Sequence, residues 1–447
     1  MQIKKPDLGG RLFVFILIST LAVAGTYVAF GLYADGSFYL LNVLRSRGFS
    51  VFQSRAFAQV ATQAPVVFAM KIGIHDLNAL IRIHSFGLIA IPLGFWLAAL
   101  LLQIKTDLFW LFVVAFSVSY LTSGFDAAGE YNLAYGVTAF GASCLLRDTR
   151  VGLLGGLTLA LAGVIAISAY EAMVFLGPLL FIIALWRLKA SKVDSTVFSK
   201  ATVALAAFLF AASFGVSLMF IIFPRDPQNL ASAALLRPML KTVHFIYIVL
   251  MGSLFLASLP GRRKLVKNMA FFLAGLLALG YLAHFSSWNS PSSNYSFRSL
   301  SGLMLFSVIA YAAGHYFSAK ANFAAFRRPL SDSAMIPLLL FISFVIPFYF
   351  QVWGFYRWAS AFEQEVVTRR GVIPIDTTKL VDAEYEPYIC QWTNPSFSIV
   401  LRGDQPGAII ANKRSYDGWQ PFEPDAVDQH LLQSFKKKSR LYFNPDS

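Results

Sequence analysis

The chain alternates long apolar runs with short polar breaks as far as residue 353, and then changes character. A helix needs about 20 apolar residues to cross a bilayer. Runs of that kind are read at 11–33, 84–104, 107–124, 132–147, 151–168, 171–187, 201–223, 242–260, 268–284, 301–319 and 334–353. They predict an all-α polytopic membrane protein of about eleven transmembrane helices. Runs 151–168 and 171–187 form one apolar block broken at 168–171, which reads as a tight hairpin. The N-terminal segment leads directly into the first run without a small-residue cleavage site, so no cleavable signal is expected.

Between the first two runs, 34–83 is too long for a turn and too apolar for a linker. Phe38-Tyr39-Leu40-Leu41 and the stretch 60–70 have helical spacing, with Arg45, Arg47 and Arg55 interspersed. Helices lying in the membrane interface are expected there. After residue 353 the acids concentrate, and 396–402 and 408–413 alternate or run β-branched between Gly and Pro turn signals. This predicts a small α+β domain over 354–447, separate from a membrane module over 1–353. Trp392, Tyr416, Trp419 and Phe422 would form its core, the alternative being a surface that stacks on sugars, and Lys436-Lys437-Lys438 with Arg440 would face solvent or a membrane surface.

Composition agrees with this class. Hydrophobic residues make up 57% and charged residues 13%, against about 25% charged in soluble domains. The formal charge of +14 reflects Lys and Arg clustered between apolar runs, as the positive-inside rule requires, and does not call for nucleic acid. Lys4, Lys5, Arg11, Arg147, Arg150, Arg187 and the basic run 262–267 place the N-terminus inside, and an odd number of spans puts the tail outside. Cys144 and Cys390 then fall in different compartments and are not expected to pair.

In a chain that avoids charge, the acids at one water-facing edge stand out: Asp35 after the first run, Asp126 and Glu130 in the next short outer turn, and Glu171 in the one after. Carboxylates near lipid are costly and more often have a job than not. The polar outer segment 284–300 contains His284 and Tyr295 and ends in Arg298, whose guanidinium suits a phosphate; Arg225, Arg237 and Lys241 are further outer cations. No HExxH, CxxC, GxSxG or Walker pattern is present.

The long first outer loop led by Asp35 in Ala34-Asp35-Gly36, the second acidic position at Asp126 or Glu130, and the variable outer tail resemble the GT-C superfamily of integral-membrane glycosyltransferases. That resemblance covers the topology of about residues 1–350. It implies transfer of a sugar from a polyprenyl-phosphate donor to a glycan, lipid or protein acceptor on the outer side of a bacterial inner membrane. It implies Asp35 as the base, with Asp126 and Glu130 orienting hydroxyls and Glu171 an additional polar contact. Arg298 would hold the lipid phosphate, helped by Arg225, Arg237, Lys241 or His284, with Tyr295 alongside. The family's first loop often carries two adjacent acids; here Gly36 follows Asp35, which speaks against a metal bridged between acids. No cofactor is expected, and a divalent cation is left open. The competing functions are a multispan transporter or flippase, which would place charges in mid-span, a polymerase of lipid-linked glycans, which would lean on the outer arginines, and a non-enzymatic subunit whose tail binds a partner.

Overall fold

The computed structural model describes residues 8–123, 129–147, 149–189, 196–223, 291–320, 334–382, 385, 388–389, 393–411, 434–437 and 439–442. Nine of the expected apolar runs fall on described helices: α1 (Leu8–Tyr27), α4 (Leu77–Ser85) continued by a π turn at Phe86–Ala90 into α5 (Ile91–Leu102), α6 (Leu108–Ser123), α7 (Glu130–Leu145), α8 (Leu153–Ile167), α9 (Met173–Lys189), α10 (Val197–Ile222), α11 (Pro291–Lys320) and α12 (Met335–Thr368). The runs at 242–260 and 268–284 lie outside the described residues. Among the described residues four helical stretches, Leu8–Tyr27, Leu77–Leu102, Val197–Ile222 and Pro337–Thr368, are long and apolar enough to cross a membrane. Leu108–Thr122, Leu153–Ile167 and Ser301–Phe317 are shorter apolar helices.

Burial explains how these helices are arranged. On α1, Val14, Ile18 and Leu21 are buried at helical spacing while Leu12, Ile16 and Val23 are exposed. The exposed faces of α10 and α12 carry Phe198, Phe208 and Met219, and Leu339, Phe350 and Trp353. Apolar faces of that size are favourable against hydrocarbon and unfavourable against water. By contrast α7 buries all its residues but Phe140 and sits at the centre, packed by α5, α6, α8, α9, α11 and the helix at Ala56–Lys71. The chain breaks between α8 and α9 at 168–172, and both helices pack on α10. Small residues allow that approach: a Cβ on Gly163 would lie 2.8 Å from Leu209 Cβ, and one on Gly177 2.7 Å from the Phe210 carbonyl.

Connections gather at two ends. At one, the buried Arg11 donates to the carbonyls of Ile104 and Thr106, Gln103 donates to the Ser143 carbonyl at 2.9 Å, and Arg187 caps the carbonyls of Arg147 and Thr149 while donating to Tyr316 Oη at 2.7 Å. These side chains bind carbonyls at and just beyond the C-terminal ends of α5 and α7.

At the other end the segment 34–83 is helical: α2 (Asp35–Ser46), a 3₁₀ turn at Gln53–Arg55 and α3 (Ala56–Lys71). α3 packs on α4, the π turn, α7 and α8, and exposes Phe57 and Phe68. The tail reaches the same end. Strands β1 (Gly371–Pro374) and β2 (Ala408–Ala411) pair in parallel, with Gly371 opposite Ala408. The segment 396–402, expected to be extended, lies instead in helix α13 (Asn394–Arg402). Pro395 pre-sets its first turn, Gly403 at φ 63° ends it, and burial on every side replaces the strand's period-two preference. α13 packs on β2, α12 and α2.

In the basic cluster near the C-terminus Lys436 and Arg440 are exposed as expected, and Lys437 departs from expectation. Lys437 is buried and ion-pairs with Glu363, itself 1% exposed; Leu441 and Tyr442 donate their backbone N–H groups to the same carboxylate at 2.9 Å. Arg440 donates to Gln364, and the backbone of Lys436 exchanges hydrogen bonds with His75 and Leu77. A buried carboxylate on α12 thus draws in the lysine that composition alone sends to solvent.

Candidate functional site

Asp35 is the first residue of α2, and the chain enters it through a constrained turn. Ala29 (φ 55°) and Ala34 (φ 49°, ψ −127°) flank a 3₁₀ turn at Phe30–Leu32. Such backbone in residues with a Cβ costs about 1–3 kcal/mol each and persists where the surroundings over-determine it. The surroundings here are tight. A Cβ on Gly36 would fall 1.8 Å from the Gly31 carbonyl oxygen, and one on Gly31 2.6 Å from Ser85 Cα. The Asp35-Gly36 pair therefore owes its glycine to close approach of two backbones. His84 fixes the same turn: its Nε2 lies 3.1 Å from the Gly36 carbonyl, so that nitrogen carries the proton and donates. Asp35 remains partly accessible.

One turn along α2, Tyr39 donates its hydroxyl to Glu130 Oε1 at 2.8 Å. Glu130 opens α7 and is 4% exposed. Gln59 Nε2 donates to the same oxygen at 2.7 Å, and Arg55 Nη1 donates to Oε2 at 3.2 Å. Arg55 then reaches Glu171 in the break between α8 and α9, placing Nη2 at 3.0 Å and Nε at 3.3 Å from Oε1. Its guanidinium carbon lies 5.5 Å from the centre of the Tyr170 ring. Tyr131 and Tyr135 surround that ring at 5.6 and 6.4 Å. Three stretches of chain distant in sequence are thus joined through one guanidinium.

Electrostatics follow the geometry. Burial pushes the Tyr39 phenol well above its ordinary range, and the neighbouring charges of Glu130 and Asp35 push it further the same way. Asp35 and Glu130 therefore both act on one phenol. Burial alone would lower the Arg55 guanidinium, but the two carboxylates outweigh it and hold the group charged.

The loop between α2 and α3 is held by the same helix face. Gln59 Oε1 accepts from Phe52 N at 2.6 Å, and Gln63 exchanges two hydrogen bonds with the Ser50 backbone at 2.9 and 2.7 Å. Arg55, Gln59 and Gln63 recur every four residues, a polar stripe on an otherwise apolar helix. The acids and the cations of the later outer segments do not point to Tyr39, Arg55 or Gln59; the polar stripe is the signal in the sequence that does.

The structure brings Asp35, Glu130 and Glu171 to one end of the bundle. Asp126, Arg225, Arg237, Lys241 and His284 lie outside the described residues. Tyr295 and Arg298 lie on the backbone of α11. Among the described residues no group of three or more His, Cys, Asp or Glu could hold a metal ion. Comparison with family models, with curated proteins and with solved structures gives no match for this chain.

Proposed function

We propose that this protein is an inverting membrane glycosyltransferase. It moves a hexosyl or pentosyl group from a polyprenyl-phosphate donor to a glycan, lipid or protein acceptor outside a bacterial inner membrane. The observation that carries this reading is the convergence of Asp35, Glu130 and Glu171 at one end of an apolar helical bundle, with Asp35 alone of the three partly accessible. The reading includes about eleven spans, a cytoplasmic N-terminus and an outer C-terminal region over 354–447.

The accessible acid is the one suited to proton transfer. The acceptor hydroxyl oxygen attacks the anomeric carbon while the bond from that carbon to the phosphate oxygen breaks. The bonding pair leaves with the phosphate, and the hydroxyl proton passes to the Asp35 carboxylate. Lipid phosphate is already a good leaving group, so no general acid is required. Arg298 holds the developing charge, with Arg225, Arg237, Lys241 or His284 assisting and Tyr295 nearby. Asp126 orients acceptor hydroxyls. Glu130, Glu171 and Arg55 hold the outer loop that carries Asp35 against α7 and α9. The route calls for no cofactor, and divalent cation is an assay variable.

The test is sugar transfer by purified protein in nanodiscs, supplied with a panel of radiolabelled polyprenyl-phosphate sugars and an envelope acceptor extract. Transfer by wild type that disappears in Asp35→Asn, at unchanged melting temperature, supports both the class and the base. Transfer that survives the substitution removes Asp35 from the role. Absence of transfer with every donor, in the presence of an acceptor shown competent with another enzyme, defeats the reading.

A further inference from the structure

The charges that meet at Arg55 do not cancel. Glu130 and Glu171 contribute two negative charges and Arg55 one positive, leaving −1 in a cluster whose acids are 4% and 5% exposed. Glu130 is satisfied, with Tyr39 and Gln59 on one oxygen and Arg55 on the other. Glu171 is not. Both of its contacts with Arg55 fall on Oε1, and Oε2 is buried with no hydrogen-bond partner among the described residues.

Buried polar atoms are nearly always partnered, and an orphan at a candidate site calls for explanation. A ligand hydroxyl is the neutral group that fits Oε2 in either protonation state. It donates to a carboxylate and accepts from a carboxylic acid. An anionic phosphate fits neither the empty acceptor nor the net charge, which repels it through a poorly screened interior. The adjacent Tyr170 is itself buried, with Tyr131 and Tyr135 around its ring and Arg55 over it, so these rings add no exposed stacking face beside Oε2. Arg55, at 13% exposed, is the least buried charged member and marks the cluster's open edge.

We propose that Glu171 Oε2 receives a hydroxyl of the donor sugar, and that the cluster's net negative charge turns the phosphate end of the donor away. This rests on the glycosyl-transfer reading. It separates the two ends of one substrate: sugar toward Glu171, phosphate away from it.

The experiment measures binding of two probes to full-length protein in nanodiscs: a short-chain polyprenyl phosphate, and the same lipid phosphate carrying a hexose or pentose. Wild type is compared with Glu171→Leu, which leaves Arg55 paired with Glu130 and the cluster neutral. The expected result is about tenfold weaker binding of the sugar-bearing probe together with tighter binding of the bare phosphate. Loss of a merely structural contact would weaken both alike, and that result overturns the proposal, as does an unchanged affinity for the sugar-bearing probe. Should Glu171→Leu fail to fold, Glu171→Gln keeps the side chain's length and removes its charge. Bare phosphate must then bind more tightly, and unchanged binding sinks the idea. Wild type that binds neither probe defeats the glycosyl-transfer reading itself. Wild type that binds both probes with no change in either variant defeats only the assignment of Glu171.

Discussion

Replacing Arg55 by leucine removes the cation that bridges two buried carboxylates, and its cost follows from the geometry. The guanidinium reaches Glu171 at 3.0 and 3.3 Å and Glu130 at 3.2 Å. Removing one partner of a buried ion pair costs about 3–5 kcal/mol, because the remaining charge is left uncompensated. Two features place this case near the lower bound: the Arg55 side chain is 13% exposed, and Tyr39 and Gln59 continue to donate to Glu130. The loss of stacking over Tyr170 adds about 0.5–1 kcal/mol. The sum is about 4 kcal/mol. At about 2 °C per kcal/mol for a large chain, the melting temperature falls by about 8 °C. Tryptophan fluorescence during heating in detergent reads this directly.

A cycle separates charge from packing. In a background where Glu130→Gln and Glu171→Gln have removed both negative charges, Arg55→Leu should cost only about 1 kcal/mol, since nothing buried is left uncompensated. Equal losses in the two backgrounds would refute the electrostatic reasoning and make Arg55 a packing residue. No loss in the wild-type background would refute the burial of the cluster altogether.

Lys437→Met leaves Glu363 buried with only the N–H groups of Leu441 and Tyr442, so we expect a loss of about 3 kcal/mol and earlier proteolysis of the C-terminal segment than in wild type. Tyr39 titrates above its ordinary value of 10.0 in the fold because burial, then Glu130 and Asp35, disfavour the phenolate. Its contribution is complete below pH 10 and is lost as pH rises beyond that toward the folded-state value, so Tyr39→Phe should flatten part of the decline in melting temperature measured above pH 10. Gly36→Ala forces a methyl to within 1.8 Å of the Gly31 carbonyl, which backbone movement must relieve; we expect a loss of about 1–3 kcal/mol in stability and a larger fractional loss of transfer than of binding.

Much of the helical framework was legible because span-length apolar runs report burial in hydrocarbon or in a helix bundle without reference to partners. Nine such runs fall on helices, and Asp35 and Glu130 lie at helix starts where the breaks in those runs placed them. Three features were hidden for one reason: each depends on a partner far away in sequence. Arg55 is one of several basic residues in an amphipathic loop until Glu130 and Glu171 arrive 75 and 116 positions later. Lys437 looks solvated until Glu363 is buried beside it. The segment 396–402 has a strand's composition, but its packing against α2, α12 and β2 makes a helix the better way to bury every side.

The placement of Asp35 links these hidden pieces. It heads a helix held from one side by His84 and the 3₁₀ turn, and packed by α13, which carries Phe397 and Ile399. α13 in turn is tied through Leu401 and Asp404 to Lys437, and through Lys437 to Glu363 at the far end of α12. A helix start with Ala34 in strained backbone cannot hold its geometry by local preference, so it depends on those contacts. The C-terminal region is therefore part of what positions Asp35. A chain cut before α13 would lose the position of its candidate base even with every membrane helix intact.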